Sequence, residues 1–244
     1  MPTDQGERRC MTAYHHVVLV GLSGSGKSTI GPRLARRLDL LFVDTDRSVV
    51  ARAGRPIDEI FAASGEPTFR AYEREAVREA VAGPRAVIST GAGAPVDPTN
   101  RAALWDGNAV VWLDAPIDVL VTRLGRSDRA GRERRPLLDG DAAARLPALL
   151  ETRRPIYEAA HVRVGTGAAR PDVVVSEIVR RIRGTPAPAT RGGTSTRRAL
   201  AGGGSGHAPR GPAGLPQARR ADSVTGTPAS VTGTPADGSR KTER

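Results

Sequence analysis

Lysine is almost missing from this chain. Among 37 basic residues only Lys27 and Lys241 are lysine, so the stretch that is patterned like a folded domain holds a single one. Arginine serves at every other basic position there, and Lys27 therefore marks a place that needs a compact ammonium rather than a planar fork. Cysteine is as scarce. Cys10 stands alone, which excludes a disulfide framework and a cysteine metal cluster and leads us to expect a cytoplasmic protein. No apolar run approaches the ~18 residues of a membrane span, and the N-terminus (Asp4, Glu7, Arg8, Arg9) lacks the apolar centre of a secretion signal. Met11, just before the first apolar run, is an alternative start that would remove Cys10 altogether.

Branched apolar residues also run out. Beyond Arg183 come Gly, Pro, Ser, Thr, Ala and Arg, with Leu200, Val224 and Val231 among the few exceptions, too little burial to offset chain entropy. Residues 184–244 are therefore read as a disordered tail, residues 1–13 as a flexible N-terminus, and 14–183 as one domain. Within the tail, Ser223 to Ala229 is repeated at once as Ser230 to Ala236, a low-complexity duplication. The net charge of +11 divides into +6 from Gly184 onward and +5 before it. The tail arginines are scattered and do not form a basic helix with stacking aromatics, so no specific nucleic-acid partner is expected.

What the chain does have is Gly21-Leu22-Ser23-Gly24-Ser25-Gly26-Lys27-Ser28-Thr29, which fits the phosphate-loop pattern G-x-x-x-x-G-K-S/T at every fixed position. Val17 to Val20 before it reads as a buried parallel strand, and Ile30 to Leu38 after it has helical spacing. In that order the loop amides and the positive end of the helix face a polyphosphate, Lys27 reaches the β- and γ-phosphates, and Ser28 offers its hydroxyl to magnesium.

The chain then alternates. Residues 40–43 form a second strand ending in Asp44-Thr45-Asp46, acids at the sheet edge where ligands bind. Two residues apart on a strand, Asp44 and Asp46 are expected on one side of the cleft, with helix capping as the alternative for each. Helical segments follow at Arg47 to Ala53, Ile57 to Ala63 and, after Gly65-Glu66-Pro67, down to Gly83; Arg70 and Glu73 lie on one face of the last and can pair. Strand 86–90 runs into Gly91-Ala92-Gly93, a helix spans Asp97 to Leu104, strand 109–113 ends at Asp114, and Pro116 opens another helix. Gly125 to Arg135 reads as an arginine-rich mobile loop, a lid over phosphates. A helix from Asp141 to Ala159, a strand from His161 to Val164 and a helix from Asp172 to Arg183 complete the pattern. Five strands alternating with helices predict a three-layer α/β/α sandwich with a five-stranded parallel sheet.

Taken together these residues resemble shikimate kinase, within the P-loop nucleoside monophosphate kinase-like group. The likeness covers about residues 16–183 and rests on motifs in order: the phosphate loop, Asp44-Thr45-Asp46, Gly65-Glu66 with Phe69-Arg70 and Glu73, the turn 91–93, Arg135-Pro136-Leu137-Leu138, and Arg153-Arg154-Pro155-Ile156-Tyr157. It implies transfer of the γ-phosphoryl of ATP to the 3-hydroxyl of shikimate. By the same resemblance Gly24, Ser25, Gly26, Lys27, Ser28 and Thr29 bind ATP, and Asp46 holds the shikimate hydroxyls and is the candidate general base. Asp44 supports Mg2+ beside Ser28, and Arg70 and Arg153 bind the substrate carboxylate with the turn Gly91, Ala92 and Gly93. Arg135 is the lid arginine over the transferring phosphoryl, Arg123 packs on adenine, and Pro171 falls where the adenine site closes. A monomer with ATP and shikimate as partners, and no membrane, is expected.

Two departures from the family pattern stand out. Ala92 takes the middle place of a three-glycine turn, which would cost about 1 kcal/mol or more if that place needs a positive φ and would reshape the pocket. Ala169 replaces an arginine on the adenine side. A P-loop kinase of another small polyol or sugar acid, such as gluconate, and a non-catalytic nucleotide-binding module remain the alternatives.

Overall fold

The computed structural model describes residues 14–129 and 142–185. The readings placed on 1–13, on the tail from 186, and on the stretch 130–141 that holds Arg135 lie outside the described residues.

The sheet is arranged round β1 (Val17–Val20), whose four residues are all buried, as a strand covered on both faces requires. β2 (Leu41–Asp44), β3 (Ala86–Ser89), β4 (Ala109–Asp114) and β5 (Val162–Gly165) complete a five-stranded sheet in the order β2-β3-β1-β4-β5. Every pairing is parallel; Val18 lies opposite Ile88 on one side and Val110 on the other. Among the described residues seven α-helices flank the sheet: α1 (Lys27–Leu38), α2 (Thr45–Ala53), α3 (Ile57–Ala82), α4 (Pro98–Trp105), α5 (Ile117–Arg129), α6 (Ala142–Glu158) and α7 (Pro171–Gly184). The expected doubly wound sandwich is what forms.

Strand alternation divides the core. Val17, Leu19, Val111 and Leu113 pack with Leu34 of α1 and Ile178 of α7, while Val18, Val20, Val110 and Trp112 pack with Leu120 of α5 and Tyr157 of α6. Each such buried side chain is worth about 1.5–3 kcal/mol relative to exposure. Tyr14 closes the domain by donating its hydroxyl to Thr185 O at 3.1 Å, one residue past the end of α7.

Two expectations need correction. Asp46 is not a strand residue: the helix starts at Thr45, with the Asp44 carboxylate accepting from the N–H groups of Asp46 and Arg47. The alternation argument for the two acids therefore fails, and Asp44 is a helix cap. Second, Gly125 to Arg129 belong to α5 and not to a loop, because arginine is a good helix former and one interior glycine costs only about 1 kcal/mol. The break expected at Gly65 is present: this residue holds φ 74° and ψ 173°, outside helical values, and separates two helical segments within α3.

Two histidines secure the end of the sheet opposite the site. His16 is 1% exposed; its Nδ1 accepts the Ala86 N–H at 3.2 Å, so the ring proton sits on Nε2 and is donated to Val81 O at 3.1 Å. His161 Nδ1 accepts the Val110 N–H at 3.0 Å. Burial lowers the pKa of both below 6.5. The unfolded chain then binds protons first, so this stability is full above 6.5 and is lost as pH falls toward the folded-state values. Urea midpoints should be lower at about pH 5.5 than at about pH 7.5; an equal or higher acid midpoint would contradict the neutral assignment.

Candidate active site

The phosphate loop leaves the carboxyl end of β1 and closes onto α1. Gly24 and Gly26 take φ 81° and 100°, values that a side chain would resist, and Gly26 caps the helix. Lys27 is nearly buried, and its Nζ donates to Gly21 O at 2.7 Å and Leu22 O at 2.9 Å. The ammonium is thus held by the loop's own carbonyls, at the wall of the cleft. Ser28 and Thr29, in the first turn of α1, are exposed to it.

That cleft, about 810 Å³, is lined by the loop from Ser23 to Ile30, by Asp44, Asp46, Ser89, Thr90 and Ala92, and on the far side by Arg123, Arg126, Thr166, Ala169 and Pro171. Every residue assigned to ATP within the described stretches lies on this wall. Arg123 does more than line it. Its guanidinium donates to Gly24 O at 3.3 Å, Thr166 O at 2.5 Å and Gly167 O at 3.0 Å. The edges of the fork grip main chain, and a guanidinium face is the part that stacks on a ring.

Of the residues assigned to the acceptor, Asp46 and Ala92 line the cleft, and Arg70 lies against the 91–93 turn at Gly93. A Cβ on Gly91 would sit 2.6 Å from Asp46 Oδ1 and 3.0 Å from Glu73 Oε1; one on Gly93 would sit 2.8 Å from Arg70 Nη1. The outer glycines therefore leave room for these side-chain ends, which a Cβ would displace. Ala92 is different: among the described non-glycine residues only Asp39 has a positive φ, so the methyl carries no backbone strain. Its carbonyl accepts from the Tyr157 hydroxyl at 2.7 Å, and the Gly91 N–H donates to Thr45 Oγ1 at 3.0 Å. The backbone strain expected if this place needed a positive φ is absent.

Arg70 pairs with Glu73 at 2.8 Å, as their spacing predicts, and with Glu66 at 2.9 Å. Burial opposes the charge on Arg70, but the two carboxylates outweigh it and its pKa is raised. Burial likewise pushes the Glu73 carboxyl up, against the pull of Arg70 and Arg153. Arg153, 8% exposed, also hydrogen-bonds Tyr157, whose hydroxyl burial drives up to about 12. Tyr157 is thus a neutral donor and Arg153 a neighbour of the Glu73 charge. Thr45, Tyr157 and Thr166 had no assigned role: the first two fall inside quoted motifs, which was the available signal, whereas Thr166 is a single threonine in a loop and gives none.

A nucleoside-phosphate cradle sharing one cleft with a wall of carboxylate and guanidinium groups defines a P-loop kinase acting on a small molecule. The family model described as shikimate kinase matches residues 23–183. A shikimate kinase of Symbiobacterium thermophilum is 48% identical over 170 residues, covering 69% of this chain and 96% of the relative; one of Mycobacterium avium is 47% identical over 172 residues, covering 70% and 94%. Among solved structures, the shikimate kinase of Acinetobacter baumannii in complex with shikimate matches with a TM-score of 0.66 at 30% identity, covering 72% of this chain and 96% of that one. The chain belongs to the shikimate kinase family. No helix among the described residues is long and apolar enough to cross a membrane.

Proposed function

We infer that the protein phosphorylates the 3-hydroxyl of shikimate with ATP, on the route to chorismate and the aromatic amino acids. The observation that carries this, beyond family membership, is the placement of Asp46 and the 91–93 turn with Arg70 behind it on the cleft that the phosphate loop opens into.

The residue roles are those the family resemblance implies, and the chemistry at each position agrees with them. The loop amides and Lys27 hold the ATP phosphates. Arg70 and Arg153 take the shikimate carboxylate, for which planar forks suit bidentate contact; Glu73 fixes Arg70 from behind. The 3-hydroxyl oxygen attacks the γ-phosphorus, the bond to the ADP oxygen breaks, and Asp46 accepts the hydroxyl proton. Such transfers depend mostly on positioning and electrostatics. Arg135, outside the described residues, is assigned by its motif to the transferring phosphoryl.

Mg2+ is assigned to Ser28 and Asp44. A hydroxyl and a carboxylate on one cleft wall fit an ion that keeps several waters and otherwise binds substrate phosphates; capping uses one oxygen of Asp44, and a carboxylate has two. When bound, the ion supplies charge neutralisation at the β- and γ-phosphates. A monomer in the cytoplasm, with no specific nucleic-acid partner, completes the reading.

Steady-state assays with ATP and, in turn, shikimate, quinate and gluconate test it. Shikimate should turn over to a single phosphomonoester, with the other two at least about 10²-fold poorer in kcat/KM. No turnover of shikimate at millimolar concentration would overturn the inference.

A further inference from the structure

We propose that Thr166 is a positioning residue for the phosphate cradle, its hydroxyl holding the Ser25–Gly26 peptide so that the Gly26 N–H is turned to the nucleotide phosphates. The proposal rests on reading the cleft as an ATP site.

Thr166 is the first residue past β5 and is 3% exposed. Its own N–H donates to Asp114 O at 2.6 Å, which ties it to the end of β4. Its hydroxyl lies 2.9 Å from Ser25 O and 3.2 Å from Asp114 O. A hydroxyl has one proton to give. Asp114 O already receives the amide, so the shorter contact, to Ser25 O, takes it.

The Ser25 carbonyl needs such a partner. The backbone bonds of α1 begin at Gly26, whose oxygen accepts from Thr29 at 3.0 Å and Ile30 at 2.8 Å; Ser25 stands just outside that ladder. In a trans peptide the C=O of one residue and the N–H of the next point in opposite directions. Fixing Ser25 O against β5 therefore turns the Gly26 N–H away from β5 and toward the cradle. The same device is applied one peptide earlier, where Arg123 holds Gly24 O while its other nitrogen grips Thr166 O. Thr166 and Arg123 thus brace the loop from the sheet end that also forms the far wall of the cleft. Glycines at φ 81° and 100° give the loop no stiffness of its own, so its amides depend on such braces.

Binding of ADP, inorganic tripolyphosphate and shikimate to the full chain, measured by calorimetry for wild type, Thr166→Val and Thr166→Ser, tests this. Wild-type ADP binding comes first: its absence would strike the ATP-site reading and not Thr166. Given binding, Thr166→Val should weaken ADP and tripolyphosphate alike by about tenfold, the worth of one charge-assisted hydrogen bond, and should raise the KM for ATP more than it lowers kcat. Shikimate affinity should stay within about twofold, and Thr166→Ser, which keeps the hydroxyl, should restore phosphate binding. Thr166→Ala is measured alongside in case valine fails to fold. Unchanged ADP affinity in the variants lacking the hydroxyl, an equal loss of shikimate affinity, or no rescue by serine would each overturn the proposal.

Discussion

Asp46→Asn should lower kcat by about 10²- to 10⁴-fold, the usual worth of a positioned general base, while ADP affinity stays within about twofold. The amide keeps the size of the side chain and can still donate or accept a hydrogen bond, but it does not take up a proton. The position is otherwise well buttressed. Asp46 sits in the first turn of α2, with its N–H on the Asp44 carboxylate at 3.1 Å, and its Oδ1 lies close against the Gly91 backbone. The substitution should therefore change chemistry and leave placement intact. The signature is a fall in kcat without a matching rise in the KM for ATP. Normal turnover in the variant would remove Asp46 from the proton transfer.

Lys27→Met should impair phosphate binding and transfer together, raising the KM for ATP and lowering kcat by about 10²- to 10³-fold, the cost of losing one preorganised donor to developing charge. The structure adds a second reason. The ammonium bonds Gly21 O and Leu22 O, so a thioether there removes a donor from two loop carbonyls as well as a cation from the phosphates. Arginine is not a substitute despite its charge: a planar fork does not fit the gap between these carbonyls, which agrees with this being the one lysine before the tail. Activity near wild type in Lys27→Met would contradict the role.

Where function imposed a fixed spacing, the fold was legible in the sequence. The loop from Gly21 to Thr29 announced itself through glycines at the fixed places of the pattern, and Val17 to Val20 through an unbroken apolar run. Legibility failed where tertiary context decided. At Asp44-Thr45-Asp46 a strand period and a helix start compete over three residues; the Asp44 cap settles it for the helix, which one sequence leaves open. At Gly125 the arginines suggested solvent and mobility, yet the packing of Leu120 and Leu124 carries α5 on to Arg129. At the 91–93 turn the sequence raised the question of φ at Ala92, whereas the outer glycines make room for Asp46, Glu73 and Arg70, side chains 18 or more positions away. Thr166 is the extreme case, since its partner Ser25 stands 141 residues earlier and no local period reports such a contact.

The central claim is that one cleft holds the phosphate donor and the acid acceptor with Asp46 between them. A crystal structure of the protein with ADP, Mg2+ and shikimate tests that claim most directly. The account predicts the shikimate carboxylate on Arg70 and Arg153 beside the 91–93 turn, its 3-hydroxyl within hydrogen-bond distance of Asp46 and facing the ADP β-phosphate. Shikimate bound with its carboxylate away from both arginines, or with its 3-hydroxyl turned from Asp46, would contradict it.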